Sequence, residues 1–144
     1  MSEDPTRDFQ PVFWAAKRAL AQASATAFAG HGVHEGQQYV LRCLWSEDGL
    51  TPGEVAGRLG LATPTVTRAT ARMEAAGLLR RVPHDRDRRL VRLVLTERGR
   101  ALEHVIGREM DRLSDRALAG LDPSERAVLV QSLNRVRRNL DPRP

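Results

Sequence analysis

Residues Thr63 to Gly99 read TPTVTRATARMEAAGLLRRVPHDRDRRLVRLVLTERG, and the order of residue types in this stretch decides the fold. Val66, Ala69 and Met73 recur at three and four residues, the spacing of one core-facing side of a helix. Thr65, Thr67, Arg68, Ala71 and Arg72 then fall largely on the opposite side, so the helix turns hydroxyls and arginines outward. Gly77 terminates it. Leu78 to Val82 and Leu90 to Leu95 are β-rich runs that bracket the polar PHDRDRR segment, which predicts a hairpin with a long charged tip.

Upstream, Thr51, Pro52 and Glu54 supply a cap, a proline at the first helical position and a capping-box acid. Val55 and Leu59 lead from there to Gly60. Two helices separated by about four residues containing a glycine have the spacing of a helix-turn-helix. A further helix covers roughly Glu35 to Glu47, with Val40, Leu41, Leu44 and Trp45. Asp8 followed by Pro11 predicts the start of the first helix, which runs through about Ala29 with Phe13, Leu20, Ala27 and Phe28 as its apolar stripe. Downstream, Thr96 begins a long helix lasting until near Leu118, with Leu102, Val105, Ile106, Met110, Leu113 and Ala117 along one side. Gly120 breaks it, and Asp122, Pro123 and Glu125 start a last helix whose stripe is Leu129, Leu133, Val136 and Leu140.

The fold class that follows is mainly α with a small β-hairpin wing. Residues 35–99 form the winged helix-turn-helix lobe, and the helices at 9–30 and 100–141 lie outside it. The stripes on those outer helices exceed what a small lobe can cover. Pairing with a second copy is the economical solution, because two-fold homodimers are the commonest oligomers; the alternative is a monomer in which the terminal helices pack on one another.

Charge is concentrated where the hairpin and helix lie. Residues 58–100 hold eleven arginines against Glu74, Asp85, Asp87 and Glu97, a local balance of +7; the remaining 12 basic and 14 acidic residues come to −2. Such a concentration is the footprint of a polyanion partner, whereas a merely solvated surface spreads its arginines over every helix. The apolar fraction of 41% and the charged fraction of 28% are those of an ordinary globular protein. No apolar run approaches the ~20 residues that cross a bilayer, and the N-terminus MSEDPTRDFQ is acidic, so the expectation is a cytoplasmic protein without membrane attachment. Cys43 is the only cysteine and sits among apolar residues, the setting of a buried helix position.

No enzymatic constellation is present at a recognised spacing. The segment GRLGLATP contains glycines but lacks the Lys and Ser/Thr that complete a phosphate loop. His31 and His34 lie three apart, yet without further cysteines the loop reading is preferred to a zinc site, and neither metal nor cofactor is expected.

From Thr65 onward the sequence resembles the MarR family of bacterial transcription regulators. The resemblance rests on Thr65-Val66-Thr67-Arg68, Met73-Glu74, Gly77-Leu78-Leu79, then Asp87-Arg88-Arg89 in the wing, and Thr96 and Gly99 opening the next helix. It implies one MarR-type domain over 1–144, in which the helices at 9–30 and 100–141 are dimerisation helices. It also implies a sequence-specific regulator, in most members a repressor, that covers a pseudo-palindromic operator in double-stranded DNA as a homodimer. Many members are released by a small-molecule effector. The alternative is a nonspecific DNA-binding architectural protein or a winged-helix module that binds another protein.

Within that resemblance, the helix Pro64 to Ala76 is expected to enter the major groove N-terminal end foremost, with Thr63, Pro64, Thr65, Thr67 and Arg68 nearest the bases. Arg72 is assigned to the backbone, the alternative being an internal partner for a wing carboxylate. Arg88 is expected in the minor groove, with Arg86 and Arg89 at phosphates or in local pairs. By resemblance Asp87 orients an arginine, read as Arg88, and does not touch DNA. Trp14, Tyr39 and Trp45 are the aromatic candidates for an effector pocket, set against the reading that all three simply pack. Peroxide-sensing relatives carry a reactive cysteine near the start of the first helix, and this chain has none there.

Overall fold

The structure, a computed structural model, describes residues 3–141. Its first helix, α1 (Pro5–Ala29), begins earlier than Asp8. The Asp4 carboxylate accepts a hydrogen bond from the Thr6 amide at 3.0 Å and Pro5 takes the first helical position, so the cap-proline signal lies at Asp4-Pro5. Pro11 is an interior residue, and having no N–H it cannot donate to the Arg7 carbonyl.

Next come α2 (Gln37–Ser46) and α3 (Pro52–Leu59). The Thr51 hydroxyl caps α3 by accepting from the Glu54 amide at 3.2 Å, and Gly60 ends it with φ +66, a left-handed conformation that side chains rarely adopt. The second helix of the helix-turn-helix is α4 (Thr63–Ala75). It buries Val66, Thr70 and Met73, while Ala69, expected in the core, is only half-buried. Burying Thr70 is tolerable because its hydroxyl donates to the Thr67 carbonyl at 3.1 Å and so leaves no orphaned polar group.

Strands β1 (Leu79–Pro83) and β2 (Val91–Leu95) pair antiparallel with Leu79 opposite Leu95 and Arg81 opposite Leu93. Leu79, Leu93 and Leu95 are buried in the core; alternation sends Arg80 to the opposite face, whereas Arg81 shares the Leu79 side and is exposed nearer the wing tip. The helix expected from Thr96 to Leu118 is divided at Leu102 into α5 (Glu97–Ala101) and α6 (Glu103–Ala117). At the break the Trp45 indole N–H donates to the Gly99 carbonyl at 2.9 Å, the oxygen a continuous helix offers to the Glu103 amide.

Two compact units divide between Asp111 and Arg112. The first holds the winged helix-turn-helix around a core that includes Phe28, Leu41, Leu44, Val55, Met73 and Ile106, all essentially inaccessible. On α1, by contrast, Phe9, Val12, Phe13, Trp14 and Leu20 are exposed. The second unit contains α7 (Pro123–Leu140), started by a full capping box between Asp122 and Glu125. Within it Arg126 pairs with Asp115 at 2.9 Å, and no residue of α7 is buried: Val128, Leu129, Val130, Leu133 and Leu140 all face solvent. No helix among the described residues is long and apolar enough to cross a membrane.

Candidate nucleic-acid interface

The outward face of α4 carries Thr63, Pro64, Thr65, Thr67, Arg68 and Arg72, every one of them exposed. Its N-terminus differs from those of α1, α3, α5 and α7, which have side-chain caps and an acid in the first turn. Ala62 at the cap position of α4 makes no side-chain hydrogen bond, and the first turn has no acid. The positive end of the helix dipole is therefore left to whatever approaches it, the arrangement that suits a phosphate. The Thr67 hydroxyl donates to the Thr63 carbonyl at 3.0 Å, which keeps its lone pairs outward as acceptors.

Its C-terminal end is held by the chain that follows β2. Arg98 Nη1 donates to the Ala76 carbonyl at 2.9 Å, the Thr96 hydroxyl to the Gly77 carbonyl at 2.6 Å, and the Thr96 amide to the Leu78 carbonyl at 3.2 Å. Three successive carbonyls leaving the helix are thus satisfied by Thr96 and Arg98. Glu74, the acid of α4, is locked onto β1: its carboxylate accepts from the Arg81 amide at 2.7 Å and from Arg81 Nε at 3.1 Å. These bonds, the backbone one foremost, hold the Glu74 carboxyl below the ordinary carboxylate range.

The wing is fixed at its base and its tip. Arg92 Nε donates to the Gly49 carbonyl at 3.0 Å and Nη1 to Asp85 at 2.9 Å, tying β2 to the turn after α2. Asp48 in that turn accepts from the Leu95 amide at 2.9 Å and pairs with Arg100 at 3.2 Å. At the tip, Asp87 accepts from Arg89 three times, from the amide at 3.0 Å and from Nε and Nη2 at 3.1 Å each. Asp87 therefore grips Arg89 in a fork and not Arg88, the arginine that the sequence reading had paired with it. The fork lowers the Asp87 carboxyl below its ordinary range, with the Arg89 side chain as the largest cause.

Both wing aspartates are thus engaged, Asp85 by Arg92 and Asp87 by Arg89, so neither is the internal partner considered for Arg72. Among the described residues Arg68, Arg72, Arg86 and Arg88 enter no ion pair. They leave cationic charge exposed on α4 and on the wing.

The three aromatic candidates do not converge. Trp45 lines a cleft of about 450 Å³ with Arg42, Glu103, His104, Arg108 and Met110, but neither Trp14 nor Tyr39 reaches it. Trp14 lies edge-on to Phe13 on α1 with the Lys17 ammonium 4.7 Å from its ring, and Tyr39 is 41% exposed on α2. Cys43 is half-buried, and burial pushes its thiol up against the opposing pull of Arg58 and Arg42, which disfavours the reactive thiolate.

Reading the sequence missed several residues that build this surface. The sequence shows Arg92 and Arg98 as positive charge alone and gives neither Arg81 nor His84 a partner. Their partners lie across strand pairs and turns, beyond what a one-dimensional spacing shows.

Comparison with known proteins agrees with this geometry. The MarR family pattern matches residues 34–91. The HTH-type transcriptional regulator TtmR of Methylorubrum extorquens (strain PA1) is 34% identical over 98% of this chain and 73% of its own length. Among solved structures, the transcriptional regulator SlyA superposes with a TM-score of 0.83 at 27% identity, covering 92% of this chain and 94% of its own. A MarR family regulator from Listeria monocytogenes, solved in complex with 26mer DNA, gives 0.79 at 25% identity over 96% and 90%. With its helix-turn-helix, its arginine-bearing wing and a relative this similar along nearly its full length, the chain belongs to the MarR family of transcriptional regulators.

Proposed function

We propose that the protein binds a pseudo-palindromic operator in double-stranded DNA as a homodimer, represses the genes behind it, and is released by a small-molecule effector. The observation that carries this reading is the acid-free, uncapped N-terminus of α4, together with a wing whose Arg86 and Arg88 have no ion partner among the described residues. Thr63, Pro64, Thr65, Thr67 and Arg68 then meet the major groove, Arg72 the backbone, and Arg88 the minor groove, with Arg86 and Arg89 beside it. The Listeria relative held DNA when it was solved, which supports the same partner here.

Dimerisation is supported by the exposed apolar residues of α1 and α7, Phe9, Val12 and Leu20 on one and Val128, Leu129 and Leu133 on the other. Left in water, patches of this kind are a liability that a second copy removes. The cleft beside Trp45 offers room for an effector.

Footprinting on DNA upstream of the protein's own gene tests the reading. Two protected half-sites about one helical turn apart are expected. Protection spread evenly over all sequences would instead favour the architectural alternative.

A further inference from the structure

The wing tip contains a side chain that neither the motif residues quoted above nor the charge argument uses. His84 Nδ1 accepts two backbone hydrogen bonds, from the Arg86 amide at 3.1 Å and from the Asp87 amide at 3.2 Å. Its own amide donates to the Leu90 carbonyl at 3.1 Å, and the Leu90 amide returns to the Asp87 carbonyl at 3.0 Å. His84 is half-buried, whereas Asp85, Arg86, Arg88 and Arg89 are exposed.

We infer that His84 is a positioning residue that presets the wing tip for DNA, an inference that rests on the DNA-binding reading above. In turns, an acceptor that reaches the amides two and three residues on is usually an Asp, Asn, Ser or Thr side chain. Here an imidazole nitrogen does this work, accepting through the Nδ1 lone pair. An aspartate would bond the same amides but would add a negative charge among arginines that face phosphate.

The consequence passes along the tip. His84 fixes the Asp87 backbone through its amide; the Asp87 carboxylate then fixes Arg89 in its fork. The Arg86 amide, held by the same nitrogen, sets where that free guanidinium begins. An ordered tip has less conformational freedom to lose when it meets a groove, so the brace raises affinity without touching DNA.

The test uses full-length protein, wild type and the variants His84→Ala and His84→Asn. Amide hydrogen exchange at Arg86 and Asp87 is read by NMR without DNA, and affinity is read on the DNA fragment protected in footprinting. His84→Ala is expected to speed exchange at both amides and weaken DNA binding about five- to tenfold, the size of one or two modest hydrogen bonds. His84→Asn, which restores an acceptor of similar reach, is expected to return both readouts to within about twofold of wild type. Unprotected amides in the wild type overturn the brace, as does an alanine variant that binds DNA normally. An asparagine variant as weak as the alanine one overturns it too, since the imidazole itself is then the contact. A wild-type protein with protected amides and no affinity for any DNA overturns the DNA-binding reading, and the role of His84 in it, while the brace stands.

Discussion

Gly99 lies so close to the Leu78 carbonyl that a Cβ built on it would sit 2.1 Å from that oxygen. The contact joins the start of α5 to the residue leaving the α4 end, and backbone on both sides prevents easy relief. Gly99→Ala is therefore expected to destabilise the fold by about 3 kcal/mol, the upper part of the overpacking range. Gly57→Ala is the control: nothing lies within 4 Å of its Cβ position inside α3. That variant should gain up to ~1 kcal/mol from helix propensity. Denaturant unfolding of the two decides it, and equal midpoints would contradict the account.

Thr96 holds two elements with one oxygen, donating to the Gly77 carbonyl at 2.6 Å and accepting from the Gly99 amide at 3.1 Å. Thr96→Val keeps the shape and loses both bonds, with an expected cost of about 1 to 2 kcal/mol. Thr96→Ser keeps the hydroxyl and should recover most of that in the same unfolding experiment.

The Glu74 and Arg81 pair makes a prediction about acid. The Glu74 carboxyl titrates below its ordinary value, so the stabilisation it brings is fully present above that ordinary value and is lost as pH falls through the folded one. Carboxyl NMR should show Arg81→Ala returning Glu74 only partway toward the ordinary range, because the backbone amide at position 81, the larger cause, still donates. A complete return would assign the whole effect to the guanidinium.

Dimer formation predicts a solution mass twice the 16.0 kDa of the chain. Leu133 is 41% exposed on α7 and Phe13 36% exposed on α1. A glutamate at either position, placed against apolar neighbours in an interface, should shift sedimentation toward the single-chain mass. A wild-type protein that sediments as one chain at micromolar concentration would contradict the dimer.

Arg88→Ala should weaken binding to the protected DNA by ~1 to 3 kcal/mol at fixed salt, the loss of one good arginine contact. Affinity of the wild type should also fall steeply with salt, since several arginines displace counterions from phosphate. An unchanged gel-shift titration would remove Arg88 from the interface.

Much of this architecture was legible in the sequence because its signals are local. Thr51-Pro52 and Asp122-Pro123 each pair a capping side chain with a proline, and both helices begin where those residues stand. Asp4-Pro5 is the same signal, and Asp8 followed by Pro11 offers a competing one within the same helix. Thr70 escaped the core assignment because polarity hid it; only its bond to the Thr67 carbonyl explains its burial. The exposed face of α4 followed from periodicity alone. At the wing the sequence supplied charges without their pairing, since Asp87 can reach Arg88 or Arg89 and only the turn geometry chooses Arg89. The aromatic trio is dispersed for a related reason: spacing along α1 and α2 does not say which cleft a ring will meet.

The central claim is that two copies of α4 and its wing read a defined DNA sequence. Selection of bound duplexes from a random-sequence pool with the purified protein tests it most directly. The account predicts enrichment of one pseudo-palindrome with half-site centres about 10 base pairs apart, or a whole-turn multiple of that. A pool that binds and is retained without any enriched motif would contradict it.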